Sequence, residues 1–382
     1  MKLKINSKLP DVGTTIFTVM SKLAAENEAI NLSQGFPEFD ASPDLVALVN
    51  KYMQKGCNQY PPMHGVAELR QNVSQKTHEL YGATINPETE ITVTSGATEA
   101  LYAAITAVVQ VGDEVIVVEP AYDSYEPAIR LNGGIPVRVQ LRYPQYRVDW
   151  DQVRDAITGK TRAIILNSPH NPTGTIFDEE DIVALKQIVA DTDIFIISDE
   201  VYEHIIFDGH RHESMLRHPE LAQRSFVISS FGKTYHVTGW KLGYCVAPAE
   251  LSTEFRRIHQ FLTFTSHTPT QYAIAEYLLN RSAYLDLPAF YQKKRDLFLE
   301  AIAGSRFKPL PCGGTFFQMV DYSEISRDGD ADFANWLTIE KRVAAIPPSV
   351  FYNGRDDHKV LRFCFAKNED TLLKAGEILQ AV

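Results

Sequence analysis

From Glu90 onward, short β-branched runs alternate with stretches of helical periodicity. The runs are ITVTSG, DEVIVVEP, TRAIILNSP, DIFIISDE, RSFVISSF and LGYCVAP. Short strands separated by helical patterns predict repeated crossover units and a mostly parallel, buried sheet. Upstream, Ile16, Val19, Met20 and Leu23 mark a brief amphipathic stretch, followed by the loop NLSQGFPEFD. Helical segments are expected at 43–54 and 66–81, with the turn-rich NQYPPMHG between them. Around 271–303 the pattern predicts a long helix leaving the sheet region. The remainder, with GGTFFQMV, VAAIPPSV, KVLRFCFA and a C-terminal helix, reads as a smaller α/β unit that the N-terminal arm joins. The expected division is a large domain at 51–281 and a discontinuous small domain from 1–50 and 282–382.

Composition narrows the function. Hydrophobic residues make up 45% and charged residues 22% of the 382, which excludes a disordered or collagen-like chain. The net charge of −11 argues against a nucleic-acid binder, whose affinity rests on clustered Lys and Arg. No apolar run approaches the length of a membrane span, and MKLKINSKLPDVG has no apolar stretch of the secretory kind behind its charges. Cys57, Cys245, Cys312 and Cys364 lie far apart, which suggests a reducing compartment and a cytoplasmic location.

In open parallel sheets, ligands sit beyond the carboxyl ends of the strands. Those ends carry SGATEA, EPAYDSYEP, NSPHNPTG, DEVYE and SSFGKTYHVTGWKLGY. Lys233 follows a strand and a Ser-x-Gly turn, a placement that suits a Schiff-base amine on a short loop. Ser230 and Lys241 could both address a phosphate. Asp199 ends an apolar strand, where a buried carboxylate needs a partner such as a pyridinium nitrogen; capping the next helix is the plainer alternative. Tyr202 follows one turn later. Ser95, Gly96 and Ala97 open a helix whose N–H groups could meet a phosphate. Tyr122 offers a ring for stacking, and Asn171 a side-chain amide between prolines. Neither GxGxxG nor GxxxxGK[ST] occurs.

The set SPHNPTG, DEVYE and SSFGKTYHVTGWKLGY resembles the class I, fold-type-I aminotransferases that depend on pyridoxal 5′-phosphate (PLP). GFPEF, EPAYDSYEP, TGWKLGY and LRFCFAKNE bring it closer to the kynurenine, glutamine and methionine aminotransferase branch. The resemblance implies a three-layer α/β/α large domain with a mostly parallel sheet plus a smaller α/β domain. It implies Lys233 as the lysine that carries the cofactor, Asp199 on the pyridine nitrogen, Tyr202 and Asn171 on its O3′, and Tyr122 against the ring. Gly96, Ala97, Thr98, Ser230 and Lys241 would hold the phosphate. Arg362 would bind the substrate α-carboxylate, with Gly35 contributing a backbone contact. Phe17 would flank the substrate side chain, Phe264 would do so from a partner subunit, and Tyr60 would reach the partner's phosphate; a homodimer with shared sites follows. Thr98 and Thr265 stand where close relatives often carry Tyr and His, which alters the pocket's shape and polarity.

The reaction implied is a ping-pong transfer of the amino group of an L-amino acid, methionine and aromatic side chains favoured, to a 2-oxo acid. A PLP-dependent carbon–sulfur β-lyase would use the same Lys233 and Asp199 and is the alternative. HIIFDGHRHESMLRH, with His204, His210, His212 and His218, invites a metal reading. It lacks ligands at zinc-site spacing, so the expectation is a solvated loop and no metal.

Overall fold

The computed structural model describes residues 5–382. Thr15 caps helix α1 (Ile16–Glu26), its side-chain oxygen accepting from Thr18 N. Helix α2 (Pro43–Gln54) starts on a proline, and helix α3 (Ala67–Tyr81) stops at Gly82, whose φ of 73° suits a residue without Cβ.

Seven strands then build the central sheet: β1 (Ile91–Thr94), β2 (Glu114–Glu119), β3 (Ile135–Gln140), β4 (Thr161–Asn167), β5 (Phe195–Asp199), β6 (Ser225–Ser230) and β7 (Gly243–Val246). Their order across the sheet is β1-β7-β6-β5-β4-β2-β3. All pairings from β6 to β3 are parallel, whereas β7 is antiparallel to both neighbours. The sheet is thus mostly parallel, with one reversed strand supplied by LGYCVAP.

Period-two alternation divides the strand residues between two apolar layers. Ile116, Val118, Ile164, Leu166, Ile196 and Val227 pack on one face with α3 and helix Glu179–Val189. Val115, Val117, Ile165, Ile197, Phe226 and Ile228 pack on the other, against helix α4 (Ala97–Val108), helix α5 (Tyr125–Leu131) and Phe255. Both faces of the sheet are covered, which gives the three α/β/α layers.

Two features depart from the sequence expectation. The residue pattern does not predict strand β3. It is an edge strand with Pro136 and largely uncovered side chains, so it lacks the apolar run of a central strand. The long helix anticipated over 271–303 is three pieces, Thr268–Tyr277, Ser282–Leu285 and Leu287–Ala301. Pro288 has no N–H to donate and falls in the first turn of the last piece, where a proline is tolerated.

The chain ends meet outside the sheet. Ile30–Asn31 pairs in parallel with Val343–Ala344. Strand β8 (Phe317–Asp321) pairs antiparallel with β9 (Val360–Cys364), placing Met319 opposite Arg362. Among the described residues no helix is long and apolar enough to cross a membrane.

Candidate active site

Strand register brings the polar ends together. Asn167 of β4 pairs with Asp199 of β5, while Ser230 of β6 and Thr94 of β1 both pair with Gly243 of β7. A cavity of about 280 Å³ opens above this edge. Its walls include Phe17, Gly35, Gly96, Ala97, Thr98, Tyr122, Asn171, Asp199, Tyr202, Ser230, Lys233, Lys241 and Arg362. Three cations and one carboxylate therefore face the space, a local balance opposite in sign to the chain's net charge.

Asp199 is buried at the end of β5. Its Oδ2 accepts a 2.7 Å hydrogen bond from the Tyr125 hydroxyl, and its Oδ1 accepts from Val201 N at 3.3 Å. Burial pushes its carboxyl up to about 6, against the pull of these donors. Asn167 Nδ2 donates to the Asp199 carbonyl at 2.8 Å, and Asn167 Oδ1 accepts from Asn171 N at 2.8 Å. The Tyr122 ring meets Tyr125 edge-on at 5.7 Å. Burial moves the Tyr122 hydroxyl up to about 12 and raises that of Tyr202 well above its ordinary value, so both are proton donors at neutral pH.

Lys233 lies in the one-turn helix Phe231–Thr234, not on the exposed loop expected, because Tyr235 N bonds back to Phe231 O at 2.8 Å and closes the turn. Its Nζ donates to Gly35 O at 3.0 Å and stands 5.5 Å from the Tyr202 ring centre. Burial pulls this amine down to about 8, so it is still mostly a cation at neutral pH but gives up its proton far more readily than an ordinary lysine.

Arg362 is fully buried in β9. Nη1 donates to Asn171 Oδ1 at 2.8 Å and Nη2 to Ser33 O at 2.9 Å, while Nε–H has no partner. The guanidinium stacks 3.8 Å from the Phe317 ring centre and faces Phe17 at 5.3 Å. Burial lowers it to about 10, yet it remains a cation at neutral pH. A buried cation held only by neutral acceptors, with a donor to spare, calls for an anion. Gly35 passes so close to Phe317 that a Cβ would stand 2.8 Å from the ring.

The part of the cavity lined by Gly96 and Lys241 suits a second anion. Gly96, at φ 78°, turns the chain from β1 into α4, and Ala97 and Thr98 follow as the helix's first residues. A Cβ on Gly96 would meet Lys241 Nζ at 3.3 Å, so glycine lets that amine close over the turn. The Ser230 hydroxyl lines the same corner. Donors for a phosphate at one end, an aromatic face at Tyr122, and a buried acid at Asp199 together fit a phosphate-bearing heteroaromatic ring.

Tyr60 and Phe264 are not in this cavity. Tyr60 is 83% exposed and its ring meets Phe264 edge-on at 5.5 Å on the surface. Thr265 also lies outside the cavity, lining a surface groove with Tyr60. The expectation of a solvated histidine loop is corrected in part: His204 and His212 are buried. His212 Nε2 pairs with Glu200 Oε2 at 2.8 Å, and His204 lies 3.1 Å from Lys76 Nζ. The pattern of glycine and charge hid this because the partners, Glu200 just after β5 and Lys76 in α3, are remote in sequence. Among the described residues no group of three His, Cys, Asp or Glu is arranged to hold a metal.

Tyr125, Asn167 and Gln34 belong to the site but carry no isolated signal. Tyr125 and Asn167 fall inside the strand-end segments EPAYDSYEP and NSPHNPTG, and Gln34 inside the loop NLSQGFPEFD, without anything local to single them out.

A family model described as aminotransferase class I and II matches residues 27–379. A methionine aminotransferase of Escherichia coli is 54% identical over 98% of this chain and 97% of its own length. A kynurenine–oxoglutarate transaminase of Dictyostelium discoideum is 34% identical, covering 98% of this chain and 96% of the relative. A solved E. coli structure identified with a methionine aminotransferase function superposes with a TM-score of 0.98 at 53% identity, each chain covered fully.

Proposed function

The chain belongs to the class I and II aminotransferases, and on that footing we propose that it moves the amino group of an L-amino acid, methionine and aromatic side chains favoured, to a 2-oxo acid with PLP as cofactor. The observation that carries this reading is the pair of cationic groups at one wall. Lys233 Nζ and Arg362 Nη2 bond to carbonyls two residues apart, those of Gly35 and Ser33. An amine for a carbonyl carbon beside a guanidinium for a carboxylate selects α-amino and α-oxo acids.

PLP, when bound, supplies an electron sink for Cα and a carrier for the amino group. Its phosphate would be held by the α4 N-terminus with Ser230 and Lys241, and its ring by Tyr122, Asn171, Tyr202 and Asp199. Asp199, as the carboxylate that the Tyr125 hydroxyl favours, would hold the pyridine nitrogen in its charged form. Lys233 would take the substrate's Cα proton at Nζ, its amine already poised near neutral pH. Arg362 would fix the carboxylate and so orient the Cα–H bond. Among the described residues the cations lining the cavity are thereby assigned, which leaves none of them for a distal carboxylate and favours apolar side chains.

The exposed pair of Tyr60 and Phe264 supports a homodimer in which each subunit completes the other's site. Four unpaired cysteines fit a cytoplasmic location.

The test is a panel of amino acids against several 2-oxo acids. Methionine should convert to its oxo acid only when an acceptor is present, and Lys233→Ala should abolish turnover. Release of ammonia and a 2-oxo acid from a sulfur-substituted cysteine without any acceptor, and no transfer from methionine, would make the protein a β-lyase instead.

A further inference from the structure

We propose that Gln34 is a positioning residue that sets side-chain preference by holding α1, and with it Phe17, against the cavity. The inference rests on the amino-acid reading of the site given above. Gln34 Nε2 donates to the Phe17 carbonyl at 2.9 Å and also to Ser21 Oγ. Both N–H groups of the amide are therefore spent on the first half of α1, from a residue that itself lines the cavity. Its neighbours are equally committed: Ser33 O accepts from Arg362, and Gly35 O from Lys233. Three consecutive residues thus address the carboxylate-binding arginine, helix α1 and the reacting amine.

Helix α1 needs this hold. Only Met20 and Ala24 of its 11 residues are buried, so its apolar anchorage is narrow. Yet it presents Phe17, whose ring lies 5.9 Å from Phe351 and 5.3 Å from the Arg362 guanidinium. A substrate fixed through its amino group at Lys233 and its carboxylate at Arg362 has one group left to place, the side chain. A long apolar side chain gains contact with the Phe17 wall, and a methyl group does not extend to it. The energy of placing Phe17 correctly is therefore collected only by long side chains.

The experiment compares kcat/KM for methionine and alanine in the holoenzyme and in Gln34→Glu, which keeps the length but cannot donate to the Phe17 carbonyl. The methionine-to-alanine ratio should fall about tenfold, the worth of a modest apolar contact, with KM for methionine rising more than kcat falls. Phe17→Ala should lower the ratio similarly, and should do so whether or not the Gln34 variant folds. Equal losses for both donors in Gln34→Glu, or an unchanged ratio in either variant, would overturn the proposal. A wild-type enzyme that transfers from neither donor would instead sink the functional reading itself.

Discussion

The hydroxyl of Tyr125 donates a 2.7 Å hydrogen bond to Oδ2 of Asp199, and both side chains are buried. Tyr125 comes from the first turn of α5 and Asp199 from the end of β5, so the bond joins the helical layer to the strand edge. It matters because burial alone would drive the Asp199 carboxyl toward its neutral form. The tyrosine favours the carboxylate that a protonated pyridine nitrogen requires.

Tyr125→Phe should therefore weaken the charged form of Asp199. A hydrogen bond to a charged group contributes about 1.5–3 kcal/mol, so kcat should fall ~10- to 100-fold. The sign for pH follows: losing a donor raises the carboxyl further, so the acid limb of the kcat profile should move upward from its wild-type position. An unchanged acid limb would reduce Tyr125 to a packing role.

Asp199 also makes a prediction for the cofactor-free protein. Its folded value of about 6 lies above the ordinary 3.8, so above pH 6 the fold bears a buried carboxylate that the unfolded chain solvates freely. That displacement corresponds to about 3 kcal/mol. Asp199→Asn should make the cofactor-free protein more stable at pH 8, and the advantage should shrink as pH falls through 6 toward 4. Denaturant melts at both pH values measure it. The same variant should lose most turnover, a trade of stability for function.

Arg362→Gln removes the buried cation but keeps a hydrogen-bonding side chain. Truncating one partner of a buried, charged hydrogen-bonded pair costs about 2–5 kcal/mol, so kcat/KM for methionine should fall ~30- to 5,000-fold. The visible absorption of the cofactor attached to Lys233 should persist, because Arg362 hydrogen-bonds Asn171 and Ser33 and neither Lys233 nor the phosphate-binding Ser230 and Lys241 depends on it for a hydrogen bond. Loss of that absorption would mean the arginine supports the fold of the site as a whole.

Lys233, Asp199 and Asn171 stand out because strand ends punctuate the sequence: an apolar run stops, and the next polar residues fall on the ligand-facing edge of the sheet. Arg362, in the middle of β9, is singled out only through the resemblance carried by LRFCFAKNE. The burial of the sheet was legible because its strands are short apolar runs that alternate with helical patterns. Tyr125 was not, since EPAYDSYEP offers two tyrosines and nothing local tells which hydroxyl meets Asp199, 74 positions away. Gln34 was hidden similarly. NLSQG reads as loop, and its place beside Arg362 depends on Ile30–Asn31 pairing with Val343–Ala344, a contact between chain ends that no local pattern encodes. Strand β3 escaped because an edge strand has one neighbour and an uncovered face, so it need not be apolar.

Tyr60 and Phe264 carry the last prediction. Neither reaches the cavity of its own chain, and Phe261, on the same helical end, is 86% exposed. Large aromatics grouped on a surface favour burial against a second surface. If that surface is a second copy, Tyr60 serves the partner's phosphate while Lys233 serves its own chain. Tyr60→Ala and Lys233→Ala would then each be impaired alone. Mixing the two after mild dissociation should restore activity, because each hybrid has one site with Lys233 from one chain and Tyr60 from the other. Mixing that restores nothing, under conditions where exchange of differently tagged subunits is demonstrated, would place Tyr60 outside the site altogether.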